Sequence, residues 1–182
     1  MKKIKWTMAF LAVFSMFAGF GGSAQATPGA GFVLTTEHSV EFEDIDVNLV
    51  YNKGNVQNTL PPGSEPEELP WMSSQRTKGP SEVRTLDAEW QPGGTTGWHT
   101  HPGHVLIMVT EGTLTYYLGD DSTCTPHYYH AGEGFVDHGG DHAHVVRNET
   151  DSPAKVKAVI VMPVGTPLRI DRDENPSCPE IQ

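Results

Sequence analysis

Apolar positions fall into three regimes along the chain. From Trp6 to Phe20 they run almost unbroken, after Lys2, Lys3 and Lys5 and before the small-residue stretch Gly21 to Ala26. A positive start, an apolar middle and an Ala24-Gln25-Ala26 end are the parts of a secretory signal peptide, which predicts cleavage before Thr27. The 15 apolar-rich residues fall short of the roughly 20 that span a bilayer, so a membrane anchor fits less well. From Thr27 to Lys53 the alternation is loose. It predicts short strands, with Val40, Phe42, Ile45, Val47, Leu49 and Tyr51 as candidate buried edges. Between Gly54 and Pro80, Pro61-Pro62, Glu65-Pro66 and Pro70 interrupt any regular element. This predicts a long surface excursion or lid, with Trp71-Met72 as an apolar foothold on the domain.

After Pro80 the pattern becomes a series of short strand-like runs, from Glu82 to Gln91, Trp98 to His101, His104 to Thr110, Leu114 to Leu118, His127 to His130, Gly134 to Val136, His142 to Asn148 and Val156 to Met162. Turn signals such as Pro102-Gly103, Gly119-Asp120-Asp121 and Gly139-Gly140-Asp141 separate them. Short strands at this rhythm predict an all-β antiparallel sandwich or small barrel. Val105 to Val109 and Val159 to Met162 do not alternate, so both faces of those strands should be covered, by a second sheet or a second subunit. The organisation that follows is a signal peptide (1–26), N-terminal strands with a proline-rich surface loop (27–80), a barrel (81–170) and a C-terminal tail (171–182).

Composition sharpens this picture. The 14 prolines and 19 glycines argue against long helices, and 23 acidic against 12 basic residues give a formal charge of −11. Losing the three lysines of the leader takes it to −14. Phosphate backbones need a cationic surface, so nucleic acid is excluded as a partner, and anionic membranes repel the processed chain. In an exported protein the only two cysteines, Cys124 and Cys178, are expected to pair, tying the tail to the barrel; free or metal-binding thiols are the alternative.

Eight of the nine histidines lie between His99 and His144, the exception being His38. Two pairs, His99-Thr100-His101 and His142-Ala143-His144, have the i, i+2 spacing that puts both side chains on one strand face. Each can aim two imidazoles into one cavity, and neutral imidazole suits zinc, copper, iron or nickel. A solvated strand face would look the same for either pair alone; two pairs so close favour metal. His127, His130 and His138 read as surface or cavity-wall residues. One of Tyr116 and Tyr117 should face the cavity. Asp120 and Asp121 suit a hairpin turn, and Asn148 suits backbone bonding at the following turn, although Asn148-Glu149-Thr150 also matches a glycosylation acceptor.

Gly93, His99-Thr100-His101 and Gly112, followed by Gly132, Gly140, His144 and Asn148, resemble the two signature motifs of the cupin superfamily, over roughly residues 82–167. The resemblance implies a double-stranded β-helix, or jelly roll, with His99, His101 and His144 as ligands of one divalent transition metal (iron, manganese, zinc, copper or nickel). The family's metal-binding glutamate falls on Val105 or Leu106, neither of which can ligate. His104 is a candidate substitute: a bulge at Pro102-Gly103 would turn it toward the metal, and without one it lines the cavity mouth or faces solvent. His99 to His104 also resembles the H-x-H-x-D-H motif of metallo-β-lactamase-like hydrolases, but Gly103 stands where the aspartate should be and that fold's helices have no counterpart. The expectation is therefore a periplasmic or secreted metal-binding protein, able to form a homodimer. It either catalyses an oxygen-dependent or Lewis-acid reaction on a small organic ligand or holds a small molecule, a sugar or the metal without chemistry.

Overall fold

The computed structural model describes residues 29–52, 55–57, 71–173, 175 and 178–181. The leader, its cleavage site and most of the proline-rich excursion lie outside these residues. Thirteen strands and no helix occur among them. They are β1 (Ala30–Phe42), β2 (Asp46–Asn52), β3 (Asn55–Gln57), β4 (Trp71–Arg76), β5 (Ser81–Thr95), β6 (His99–Thr100), β7 (His104–Glu111), β8 (Thr113–Leu118), β9 (His127–His130), β10 (Gly134–Asp137), β11 (His144–Arg147), β12 (Ala154–Pro163) and β13 (Ile170–Asp171).

Ten of these strands form the barrel. One side runs β1-β5-β12-β7-β10 and the other β9-β8-β11-β6-β13, all antiparallel. The far end of β5 joins the sides where Thr95 pairs with Arg147. This is the small antiparallel barrel that the rhythm of short strands predicts, in the jelly-roll form that the family resemblance implies. Between the sides lies a core that includes Trp90, Val109, Leu114, Phe135, Val146 and Val156. Each large side chain taken from water there contributes roughly 1.5–3 kcal/mol. A separate sheet, β3-β2-β4, is built from the N-terminal segment.

Several local expectations change. β1 is a 13-residue strand rather than a short one, because β5 templates it from Ala30 to Phe42 through two register shifts. Val40, Phe42, Val47 and Tyr51 are exposed, and the buried residue of β2 is Val50. Trp71 and Met72 do not anchor a loop: they are exposed in β4, paired with Tyr51 and Val50. Of the two runs expected to be covered on both faces, the first is covered on one within this chain, and in the second the outward Val159 and Val161 are half-buried. In β7, Val105 and Val109 face the core while Leu106 and Met108 are each 49% exposed. The tail is fastened as expected by a Cys124–Cys178 disulfide. Cys178 and Ile181 pack against Trp98, Tyr117 and Val145, and Trp98 Nε1 donates to the Ile181 carbonyl at 2.7 Å.

Candidate metal centre

His99 lies on the short strand β6 and His101 just beyond it, two residues apart and so on the same face. Opposite them His144 opens β11 and is the direct antiparallel partner of His99. The ring centroids of His99 and His144 are 4.2 Å apart, those of His99 and His101 4.9 Å, and those of His101 and His144 5.5 Å. One nitrogen from each ring lies within 4.8 Å of the others, an arrangement that could hold a metal ion.

The ring nitrogens facing away from the centre fix the tautomers of two of the three. His99 Nδ1 meets the Gly97 carbonyl at 2.9 Å and His101 Nδ1 meets the Leu168 carbonyl at 2.6 Å. A carbonyl can only accept, so each Nδ1 carries the proton and each Nε2 keeps its lone pair for a cation. His144 Nδ1 is buried without a partner. Burial, followed by the neighbouring rings of His144 and His101, holds His99 well below the ordinary imidazole pKa. Burial also lowers His101, and it lowers His144 to about 4, against a smaller opposing pull from Asp137. All three are therefore neutral near pH 7, the form that binds metal.

Asp137, which sequence reasoning missed, lies beside this group. It ends β10, is 1% exposed, and places Oδ2 at 3.6 Å from His101 Nε2 and Oδ1 at 3.5 Å from His144 Nδ1. Oδ1 accepts the Gly139 amide at 3.0 Å, whereas Oδ2 is buried with no hydrogen-bond partner. A signal was present: in the alternating run Phe135-Val136-Asp137 the acid shares the inward face of Phe135. The turn after it is stitched to the His101 loop, with Gly140 N donating to the His101 carbonyl at 2.8 Å and Thr100 Oγ1 to the Gly140 carbonyl at 3.0 Å.

His104 is outside this group. β7 pairs with β12 from His104 to Val109 without a shift, and within it Val105 takes the buried face. Val105 faces the barrel interior, and His104 lines an outer groove with Pro102, Gly103 and Met162. His142 is not the inward partner of His144 either. It lies in an exposed turn before β11, its ring against that of His138 at 5.7 Å. Of the tyrosines, Tyr116 faces inward and stacks on His144, while Tyr117 packs under the tail with its hydroxyl donating to Glu149. Asn148 is fully buried, its amide donating to the Trp90 and Ser152 carbonyls, so it is a turn residue and not an accessible glycan acceptor. Asp121 accepts the Thr123 and Thr125 amides and closes the hairpin turn.

The histidines open onto a cavity of about 90 Å³ inside the barrel, walled mainly by apolar side chains such as Leu86, Val105, Ile107 and Phe135. Arg169 reaches the same cavity from the segment after β12.

A family model described as Cupin domain matches residues 86–162. No curated protein matches the chain. Among solved structures, an oxalate oxidase is 24% identical over 45% of this chain and 46% of its own, with a TM-score of 0.38. The polyketide cyclase RemF from Streptomyces resistomycificus is 20% identical over 53% of this chain and 66% of its own, with a TM-score of 0.43. A cupin superfamily protein from Desulfitobacterium hafniense DCB-2 is 11% identical over 44% of this chain and 67% of its own, with a TM-score of 0.39. The chain thus spans about half the length of the oxalate oxidase it matches.

Proposed function

We propose, from the Cupin domain model that matches residues 86–162, that this chain is a cupin: an exported protein that binds one divalent transition metal through His99, His101 and His144 and acts on a small organic ligand in the barrel cavity. The observation that carries this reading is the convergence of three neutral imidazoles beside the buried, unpartnered Oδ2 of Asp137. In this reading Asp137 takes the place of the family's glutamate, entering from β10 because the usual position is the apolar Val105 or Leu106.

A metal held there would supply Lewis acidity and open positions for a chelating ligand. The chain's own contribution is orientation and exclusion of water. The Gly97 and Leu168 carbonyls fix two rings, and the apolar wall dries the cavity. The purified protein is expected to carry about one transition metal per chain, and His101→Ala to lose it. Elemental analysis of both proteins decides this: metal retained undiminished by the variant would remove His101 from the site. Oxygen uptake or turnover by the loaded protein separates an enzyme from the second reading, a non-catalytic binder, which the small and mostly apolar cavity also suits.

Export is supported by the leader pattern, which ends at Ala26, and is compatible with the disulfide. No helix among the described residues is long and apolar enough to cross a membrane. Protein recovered from outside the inner membrane should begin at Thr27; a chain still carrying residues 1–26 there would contradict cleavage.

A further inference from the structure

We propose that the ligand taken by this cavity is a small carboxylate with an apolar body, received by the guanidinium of Arg169. The inference deepens the reading of the cavity as a ligand site and concerns the substrate class alone.

Arg169 follows β12, the last long strand of the barrel, and immediately precedes β13. Two of its three nitrogens are already committed: Nε donates to Asp171, and Nη1 donates to the Thr96 carbonyl at 2.6 Å. These bonds hold the guanidinium plane in place and leave Nη2, which is buried and has no partner. The residue lines the histidine cavity, and its charge is close enough to disfavour protonation of all three rings. A second unpartnered donor, Trp90 Nε1, is buried in a side chain that lines the same cavity.

Leaving a buried guanidinium donor unmade costs more than leaving a neutral one, so such a group is retained where an acceptor will arrive. Asp137 does not fill that role, because its own Oδ2 is also unpartnered. The cavity therefore offers Arg169 Nη2 and Trp90 Nε1 as donors to whatever enters. Apart from Thr96, Asp137 and the three histidines its wall is apolar, and its volume of about 90 Å³ admits only a small molecule. A carboxylate presents acceptor lone pairs to a guanidinium in the geometry that fork favours, and an aliphatic body suits Leu86, Ile107 and Phe135. A neutral ligand would offer Nη2 only an uncharged acceptor, which bonds a guanidinium less strongly than a carboxylate does.

The test is an NMR titration of isobutyrate and of its uncharged isostere isobutyramide into the full chain with its disulfide intact, both metal-free and zinc-loaded. In both forms the wild type should bind isobutyrate at least about tenfold more tightly than the amide. Arg169→Gln should bring the two ligands to within about twofold of each other, Arg169→Lys should keep part of the preference, and Trp90→Phe should weaken isobutyrate without removing it. No saturable isobutyrate binding, equal binding of the two by the wild type, or a preference that survives in metal-free Arg169→Gln would each overturn the proposal. Should zinc fail to bind, the metal reading falls, while the metal-free comparison still decides the role of Arg169.

Discussion

Asp137 and His144 answer to one constraint: a buried polar atom needs a partner, and here Asp137 Oδ2 and His144 Nδ1 lack one beside the other two histidines. Asp137→Asn keeps the shape and the Gly139 contact but takes away the carboxyl, and is expected to lower metal affinity by about 10–100-fold with little effect on thermal stability. A competition titration against a chelator of known affinity would read this, and unchanged affinity would exclude Asp137 from the ligand set. The histidines also set a pH dependence. Each titrates lower in the folded protein than in the unfolded chain, so acid favours unfolding of the metal-free protein. Stability contributed by these rings is full above the ordinary imidazole value of about 6.5 and falls as the pH drops from there, His144 accepting its proton at about 4. His144 alone accounts for about 3 kcal/mol of that loss. Urea midpoints of the metal-free protein at pH ~7.5 and ~5 test the sign, and a midpoint that does not move would contradict it.

Elements carry the site because of how their ends are tied. β6 is only two residues long, and the loop after it would wander if the turn following β10 did not hold it. Gly139 makes that contact possible. Its φ is +67°, its amide donates to Asp137, and a side chain there would collide with the backbone of Gly103 and His101. Gly139→Ala should therefore push the His101 loop outward and weaken metal binding by more than about tenfold, while the melting temperature drops by a few degrees. Metal affinity equal to wild type would show that the loop accommodates the methyl group. Much of this architecture was legible beforehand. Turn residues marked the strands from β5 to β12, and the two histidines of β6 and its flank declared their shared face by spacing alone. The rest depended on tertiary placement. The phase of His104 was set by unbroken pairing with β12, His142 fell before the strand that would have aligned it with His144, and β1 owes its length to β5 rather than to its own sequence. Asp137 carried a readable alternation signal, whereas Arg169 carried none, because its position depends on where the chain crosses after the barrel closes.

As a whole molecule the protein buries one face of its β12-β7-β10 layer and leaves the other open. Leu106, Met108 and Val136 form an exposed apolar group there, on neighbouring strands β7 and β10. A second copy covering this face is proposed. Sedimentation equilibrium should give a dimer that Met108→Lys converts to monomer, and a wild-type monomer at tens of micromolar would dismiss the idea. At the opposite end the Cys124–Cys178 link closes a 54-residue loop and contributes roughly 2–4 kcal/mol by restricting the unfolded chain.

That sulfur bridge sits in the same cluster as Trp98, and the next residue along the chain is His99. A compartment rich in glutathione would open the strap, release Ile181 from the indole and leave the first imidazole without its backing. Recombinant material made in a reducing cytosol should accordingly arrive with a loosened rear wall, and its metal occupancy should recover on oxidative refolding.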